Sequence, residues 1–149
     1  MAVRINVHKN TNSKSLAFGK WYGYVDNDDP IGIDELADHM SAHNTPFSPG
    51  TIAGVLKDMV HCIRELNLKS VPVKLDNLAI FKASVETAGV SNLADFTIAK
   101  GIKRIRLSAQ ATGEFTADEL TKDGSLILSK LAKQQIEEAK EAANNSNGD

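Results

Sequence analysis

The sequence predicts an α+β fold, and three observations carry that expectation. Val3, Ile5 and Val7 alternate with Arg4, Asn6 and His8, the period-two pattern of a half-buried strand. From Ile33 the apolar period lengthens to that of a helix and stays there to Leu66. After Lys69 alternation returns at Val71, Val73 and Leu75. The chain has 149 residues, 42% hydrophobic and 24% charged, with 10 Gly and 4 Pro. That suits one domain with appended elements, long enough to bury a core without a disulfide or metal.

The polar stretch 9–15 follows the first strand and reads as a loop. Residues 18–25 hold Trp21, Tyr22, Tyr24 and Val25, so a second strand is expected there, ended by Asp26-Asn27-Asp28-Asp29-Pro30. The two strands are expected to pair as a hairpin. Ile33, Leu36, Ala37 and Met40 share one helical face, with Asp34 and Glu35 placed for a helix N-terminus. This helix should stop near Asn44, because Thr45 precedes Pro46. Ser48-Pro49 restarts a helix as N-cap and first-turn proline. Ile52, Val55, Leu56, Met59, Val60, Ile63 and Leu66 give that second helix a wide apolar stripe, for which a partner subunit is the natural cover.

The strand after Lys69 begins beside Pro72, turns at Asp76-Asn77 and returns over residues 78–85. Residues 87–92 read as a loop and residues 98–109 as a further strand. Thr116-Ala117-Asp118-Glu119 looks like a capping sequence for a short helix that Asp123-Gly124 ends. A helix is expected over residues 126–143 and a disordered end over 144–149.

The net charge is −2, but it is unevenly spread: +1 over residues 1–32, +1 over 33–112 and −4 over 113–149. Any phosphate contact must therefore rest on a local patch. One cysteine, Cys62, excludes an internal disulfide and a multi-cysteine zinc site. The apolar runs are too short for a membrane span, and the first residues lack the core of a signal peptide, so a soluble, cytoplasmic protein is expected.

Two helices joined by a proline-containing turn, then a tight strand pair, a β excursion and a return strand, form an unusual order. With Val73-Lys74-Leu75-Asp76-Asn77-Leu78-Ala79-Ile80-Phe81 it resembles the bacterial histone-like HU and integration-host-factor family. The resemblance covers roughly residues 33–110. It implies a histone-like fold with a β-arm, here with an N-terminal β-hairpin (1–32) and an acidic helical C-terminal extension (113–149) around an HU-like domain (33–112). It also implies a homodimer that binds double-stranded DNA in the nucleoid. The sequence departs from the family pattern at two places. Asn77 and Ala79 stand where the family's turn has glycines. The segment 85–100, matching the family's basic arm, holds Glu86 and Asp95, one cation, Lys100, and no proline. Minor-groove kinking needs an apolar wedge flanked by cations, and Val90, Leu93 and Phe96 are the wedge candidates.

Lys100, Lys103, Arg104 and Arg106 form the concentrated basic cluster, with Lys74, Lys82, Arg4 and Lys20 as secondary DNA-binding candidates. On a regular strand Arg104 and Arg106 would share one face with Ile102, and Lys103 the other with Ile105 and Leu107. His39 and His43 are spaced for a metal, but a zinc protease's glutamate and a third ligand are missing, so a polar helix face is expected. Cys62 beside His61 reads as a buried or half-buried structural thiol. Asp26, Asp28 and Asp29 lack the glycine and terminal glutamate of a calcium loop. Trp21, Tyr22 and Tyr24 are expected to pack on the sheet rather than stack on bases. The expectation is thus a non-enzymatic, phosphate-binding DNA protein without cofactor, metal, membrane or small-molecule substrate. The alternative is an HU-fold assembly module whose DNA binding is weakened or lost.

Overall fold

The computed structural model describes residues 2–146. They form a mixed α+β structure with two three-stranded sheets and five helices. The chain divides into two compact units, Met1–Asp29 with Thr121–Asp149, and Pro30–Leu120.

In the first unit, strand β1 (Ala2–Lys9) pairs antiparallel with β2 (Trp21–Val25), Val7 opposite Gly23, which is the expected hairpin. Residues 18–20 belong to its loop rather than to the strand. Gly19 sits at φ +79, where a side chain is disfavoured, and its N–H donates to the Asn10 carbonyl at 2.9 Å. On its other edge β1 pairs parallel with β6 (Ser125–Leu128), Val3 opposite Leu126. This corrects the helix expected from residue 126. A short apolar run fits either period, and the free edge of β1 selects the strand. Ser129 then caps α5 (Lys130–Ser146), its Oγ accepting from the Ala132 N–H at 3.0 Å. The helix includes residues 144–146, which the composition suggested were disordered; residues 147–149 lie outside the described residues.

Alternation predicted an apolar inward face for β1, yet its most buried residue is Asn6, at 8% exposure. Its Nδ2 donates to Asp26 Oδ1 at 2.8 Å, and its Oδ1 accepts from the Ser129 hydroxyl. The Ser129 N–H also donates to the Ile5 carbonyl at 2.9 Å. One buried polar group thereby joins the first strand, the end of the second and the start of the last helix. Ser129→Ala is expected to cost about 2 kcal/mol, from a lost cap and an acceptor left without its donor. Urea unfolding followed through Trp21, the single tryptophan, measures it as a lowered midpoint at unchanged slope. An unchanged midpoint would remove the network from the account of stability.

In the second unit, α1 (Ile33–Ser41) starts at Gly32, whose N–H donates to Glu35 Oε2 at 2.9 Å. It stops slightly short of the expected end, because Asn44 turns left-handed at φ +60. Helix α2 (Pro49–Leu68) starts as expected, with the Thr51 N–H donating to Ser48 Oγ at 3.2 Å. Ala37, Ile52 and Ala53 form a small buried core, with Ile33 and Leu56 packed against it. Asp34 and Lys57 pair across the helices at 2.7 Å. Of the apolar stripe on α2, Ile52 is buried and Leu56, Met59 and Ile63 are half-buried. Val55, Val60 and Leu66 remain exposed.

The second sheet has the order β3 (Val73–Leu75), β4 (Ala79–Thr87), β5 (Ile102–Ala111), all antiparallel. Asn77 closes the β3–β4 turn at φ +58, a left-handed position that asparagine tolerates without glycine. Gly113, at φ +56, lies against this turn so closely that an added Cβ would meet Asn77 Cα at 2.9 Å. The last expected strand begins later than its composition suggested. Residues Ile98–Gly101 form the one-turn helix α3, capped by Thr97 Oγ1, which accepts from the Lys100 N–H at 3.3 Å. Helix α4 (Ala117–Asp123) is the expected short helix. Among the described residues no helix is long and apolar enough to cross a membrane.

Candidate nucleic-acid interface

The register of the second sheet sorts its side chains into two unlike faces. Residues directly opposite one another share a face, and successive residues alternate. Val73 stands opposite Phe81, Phe81 opposite Ala109, Ala83 opposite Leu107 and Val85 opposite Ile105. That face is apolar. Phe81, Ala83, Ile105 and Leu107 of that face line, with Met59, Val60 and Ile63 of α2, a hollow of about 540 Å³ that Arg64 and Arg106 also border. On the reverse face Lys74 stands opposite Ile80, Lys82 opposite Ser108, Ser84 opposite Arg106 and Glu86 opposite Arg104. Lys74, Lys82, Arg104 and Arg106 therefore share one side of one sheet.

Lys103 joins them through an irregularity. Glu86 pairs with Arg104, but the next pair is Thr87 with Ile102, so Lys103 is the extra residue of a bulge. The alternation expected for a regular strand fails at this point, and Ile102 no longer shares a face with Arg104. Three cations then converge on one carboxylate. Glu86 pairs with Arg104 at 2.8 Å, with Lys103 at 3.8 Å and with Arg106. Its side chain is 27% exposed while the three cations are more than half exposed. Lys74 is paired with Asp76 at 3.0 Å. Lys82 and Lys100 form no ion pair with another described residue, and Lys100 stands on α3 rather than on the sheet.

Beyond Thr87 the strands do not continue as a paired arm. The connection folds back through a 3-10 turn (Leu93–Asp95) and α3, and the Ala88 N–H donates to the Gly101 carbonyl at 2.8 Å. Asn92 Oδ1 accepts from the Ala94 N–H at 3.2 Å, and the Phe96 ring occupies the space that a Cβ on Gly101 would need. Asn92 and Thr97 cap turns, so the connection from Ala88 to Thr97 does not extend as a ribbon. Leu93, one of the wedge candidates, is 86% exposed.

The role of Glu86 as the hub of the cluster was not legible in sequence, where it counted only as an acid in the arm. Its partners lie 18 and 20 positions away, and only the strand register brings them together. Other candidates fall elsewhere. Arg4 is held by Asp28 at 2.6 Å, a hydrogen bond that raises its pKa, and by Asp26 at 3.9 Å. Asp26 and Asp28 thus serve Asn6 and Arg4. Cys62 is exposed, contrary to the buried thiol expected. Trp21, Tyr22 and Tyr24 are also exposed, with the His8 ring 5.3 Å from Tyr24 and 6.2 Å from Tyr22.

The HU-HIG family, described as an HU domain fused to wHTH, Ig or glycine-rich motif, matches residues 1–118. The chain belongs to the HU-HIG family. The resemblance carried by residues 73–81 and by the order of elements therefore holds, and the HU-HIG match also takes in the N-terminal hairpin. Among solved structures, a candidate bacterial DNA-binding protein from Bacteroides vulgatus ATCC 8482 is similar, with 17% identity and a TM-score of 0.62. The likeness covers 85% of this chain and 48% of that one, so the HU-HIG chain spans about half of its length. At this identity the likeness speaks for the fold. No curated protein matches the chain.

Proposed function

We infer that this HU-HIG chain is a non-enzymatic DNA-binding protein that holds duplex DNA through phosphates with little sequence preference. In this reading it acts in the cytoplasm as a nucleoid architectural protein. The observation that carries it is the polar face of the second sheet, where Lys74, Lys82, Lys103, Arg104 and Arg106 gather beside Ser84, Glu86 and Ser108, with the apolar residues on the other face. Exposed strand cations suit phosphates, which position a protein without being read as sequence. In this reading Lys100, on α3 just before β5, is a further DNA-binding candidate. Residues 33–112 are the DNA-binding segment, and residues 1–32 and 113–149 are its extensions.

The functional unit is a homodimer. The apolar hollow beside α2 is lined by Ile105 and Leu107, 63% and 69% exposed, and by Asn67, whose buried Oδ1 has no hydrogen-bond donor. A second copy would cover the first two. Light scattering is expected to give twice the chain mass at micromolar concentration. A monomer at high micromolar concentration would sink the dimer.

The second reading, an HU-fold assembly module without DNA binding, is favoured by Glu86, which already neutralises part of the cluster. Fluorescence anisotropy with unrelated duplexes at about 50 mM salt separates the two, since phosphate binding is strongest at low salt. Similar affinity for every duplex supports DNA binding. Absence of any signal establishes the assembly reading.

A further inference from the structure

At the end of α1 two imidazoles meet outside the basic face. His39 Nε2 and His43 Nε2 lie 3.1 Å apart, with ring centroids 4.7 Å apart and planes at 68°. Both residues are exposed. The backbone fixes this spacing: the Ala42 N–H donates to the Asp38 and His39 carbonyls, and the His43 N–H to the Met40 carbonyl at 3.1 Å. Asn44 then leaves the helical path at φ +60. His43 is thus the last residue before the break, one turn beyond His39.

The geometry points to a surface site for a divalent transition metal, chelated by His39 Nε2 and His43 Nε2. Two nitrogens each about 2.05 Å from one ion, as in zinc–imidazole bonds, and 3.1 Å from each other subtend about 98° at the metal. That lies between tetrahedral and square geometries, so zinc, copper(II) or nickel(II) fits once both rings turn from each other towards the ion. Neutral imidazole suits these ions, whereas magnesium and calcium prefer oxygen. Without metal, one ring donates its Nε2 proton to the other. With metal, both Nε2 atoms offer lone pairs and both protons sit on Nδ1, so the first ring changes tautomer without net proton loss. The ion would stand at the C-terminal end of α1, where unpaired carbonyls favour a cation. Among the described residues no third His, Cys, Asp or Glu completes a cluster, which leaves the remaining positions to water. The site spans the end of α1 and the turn towards α2, so an ion there would fasten that turn.

Isothermal titration of the full chain with zinc chloride, and separately with copper(II), tests the site. One ion per chain is expected. His39→Ala and His43→Ala should each weaken binding by about 10²-fold, because two-point attachment multiplies affinity by that order. His8→Ala and His61→Ala should leave it unchanged. The copper(II) resonance spectrum should show two equivalent nitrogen ligands in the wild type and one in either variant. Both His39 and His43 are exposed, and circular dichroism verifies that the variants fold. Binding that survives the double change, or no binding at millimolar zinc and copper, overturns the proposal and leaves the pair a plain imidazole hydrogen bond.

Discussion

Replacing Lys103, Arg104 and Arg106 together by alanine is expected to weaken binding to all duplexes about equally and to flatten its salt dependence. Each phosphate contact contributes roughly 0.9 to the slope of log affinity against log salt. Six cations in a dimer would account for about five units of slope if each held one phosphate. Glu86 neutralises one charge of each cluster, which brings the expected change to roughly 3 to 4 units. At about 0.1 M salt that corresponds to a loss of order 10³ in affinity. Stability should hardly change, since exposed ion pairs contribute little to folding. Salt titrations by anisotropy measure the slope. A triple variant that binds like the wild type would move the site elsewhere, to Lys82 and Lys74 first.

Glu86→Gln should act in the opposite direction. In the proposed reading the carboxylate, which pairs with the three cations around it, would compete with phosphate for them. Its amide keeps the shape and removes the charge, so each subunit gains one cation for DNA. The salt slope should steepen by roughly 2 units in the dimer, and affinity at about 0.1 M salt should rise by 10- to 100-fold. The sheet itself should lose no more than about 1 kcal/mol, the scale of exposed ion pairs. The result that would reverse this account is weaker binding by a folded Glu86→Gln protein. Glu86 would then be holding the cations in the arrangement that DNA requires.

How much of this could be read in the residues depends on the range of the forces involved. Ser48 and Pro49 declare the start of α2 locally, and the turn at Asp76-Asn77 announces β3 and β4 within a few residues. The parallel partner of β1 could not be read, because Leu126, Ile127 and Leu128 carry no mark of a strand until β1 lies beside them. Asn6 looked like an outward polar residue, and only Ser129, 123 positions away, makes its burial tolerable. The basic cluster was legible as composition. Its arrangement was not, since the bulge at Lys103 changes which face each cation takes, and a bulge is a property of two paired strands. The lesson is one of register. Local chemistry names the candidates, and pairing decides which of them meet.

The parallel pairing of β1 with β6 also bears on how the chain is made. Residues 2–5 wait for residues 125–128 before that edge of the sheet is covered. At 5 to 20 residues per second, the ribosome takes about 6 to 25 s to deliver them. In that interval the helix pair and the second sheet, whose contacts lie within residues 30–120, can complete their own folding. The nascent hairpin meanwhile presents an unpaired strand edge to other nascent chains, the kind of surface that templates aggregation. Arg4, within the stretch that β6 later covers, is then protective during synthesis, a service that ends once the last strand arrives.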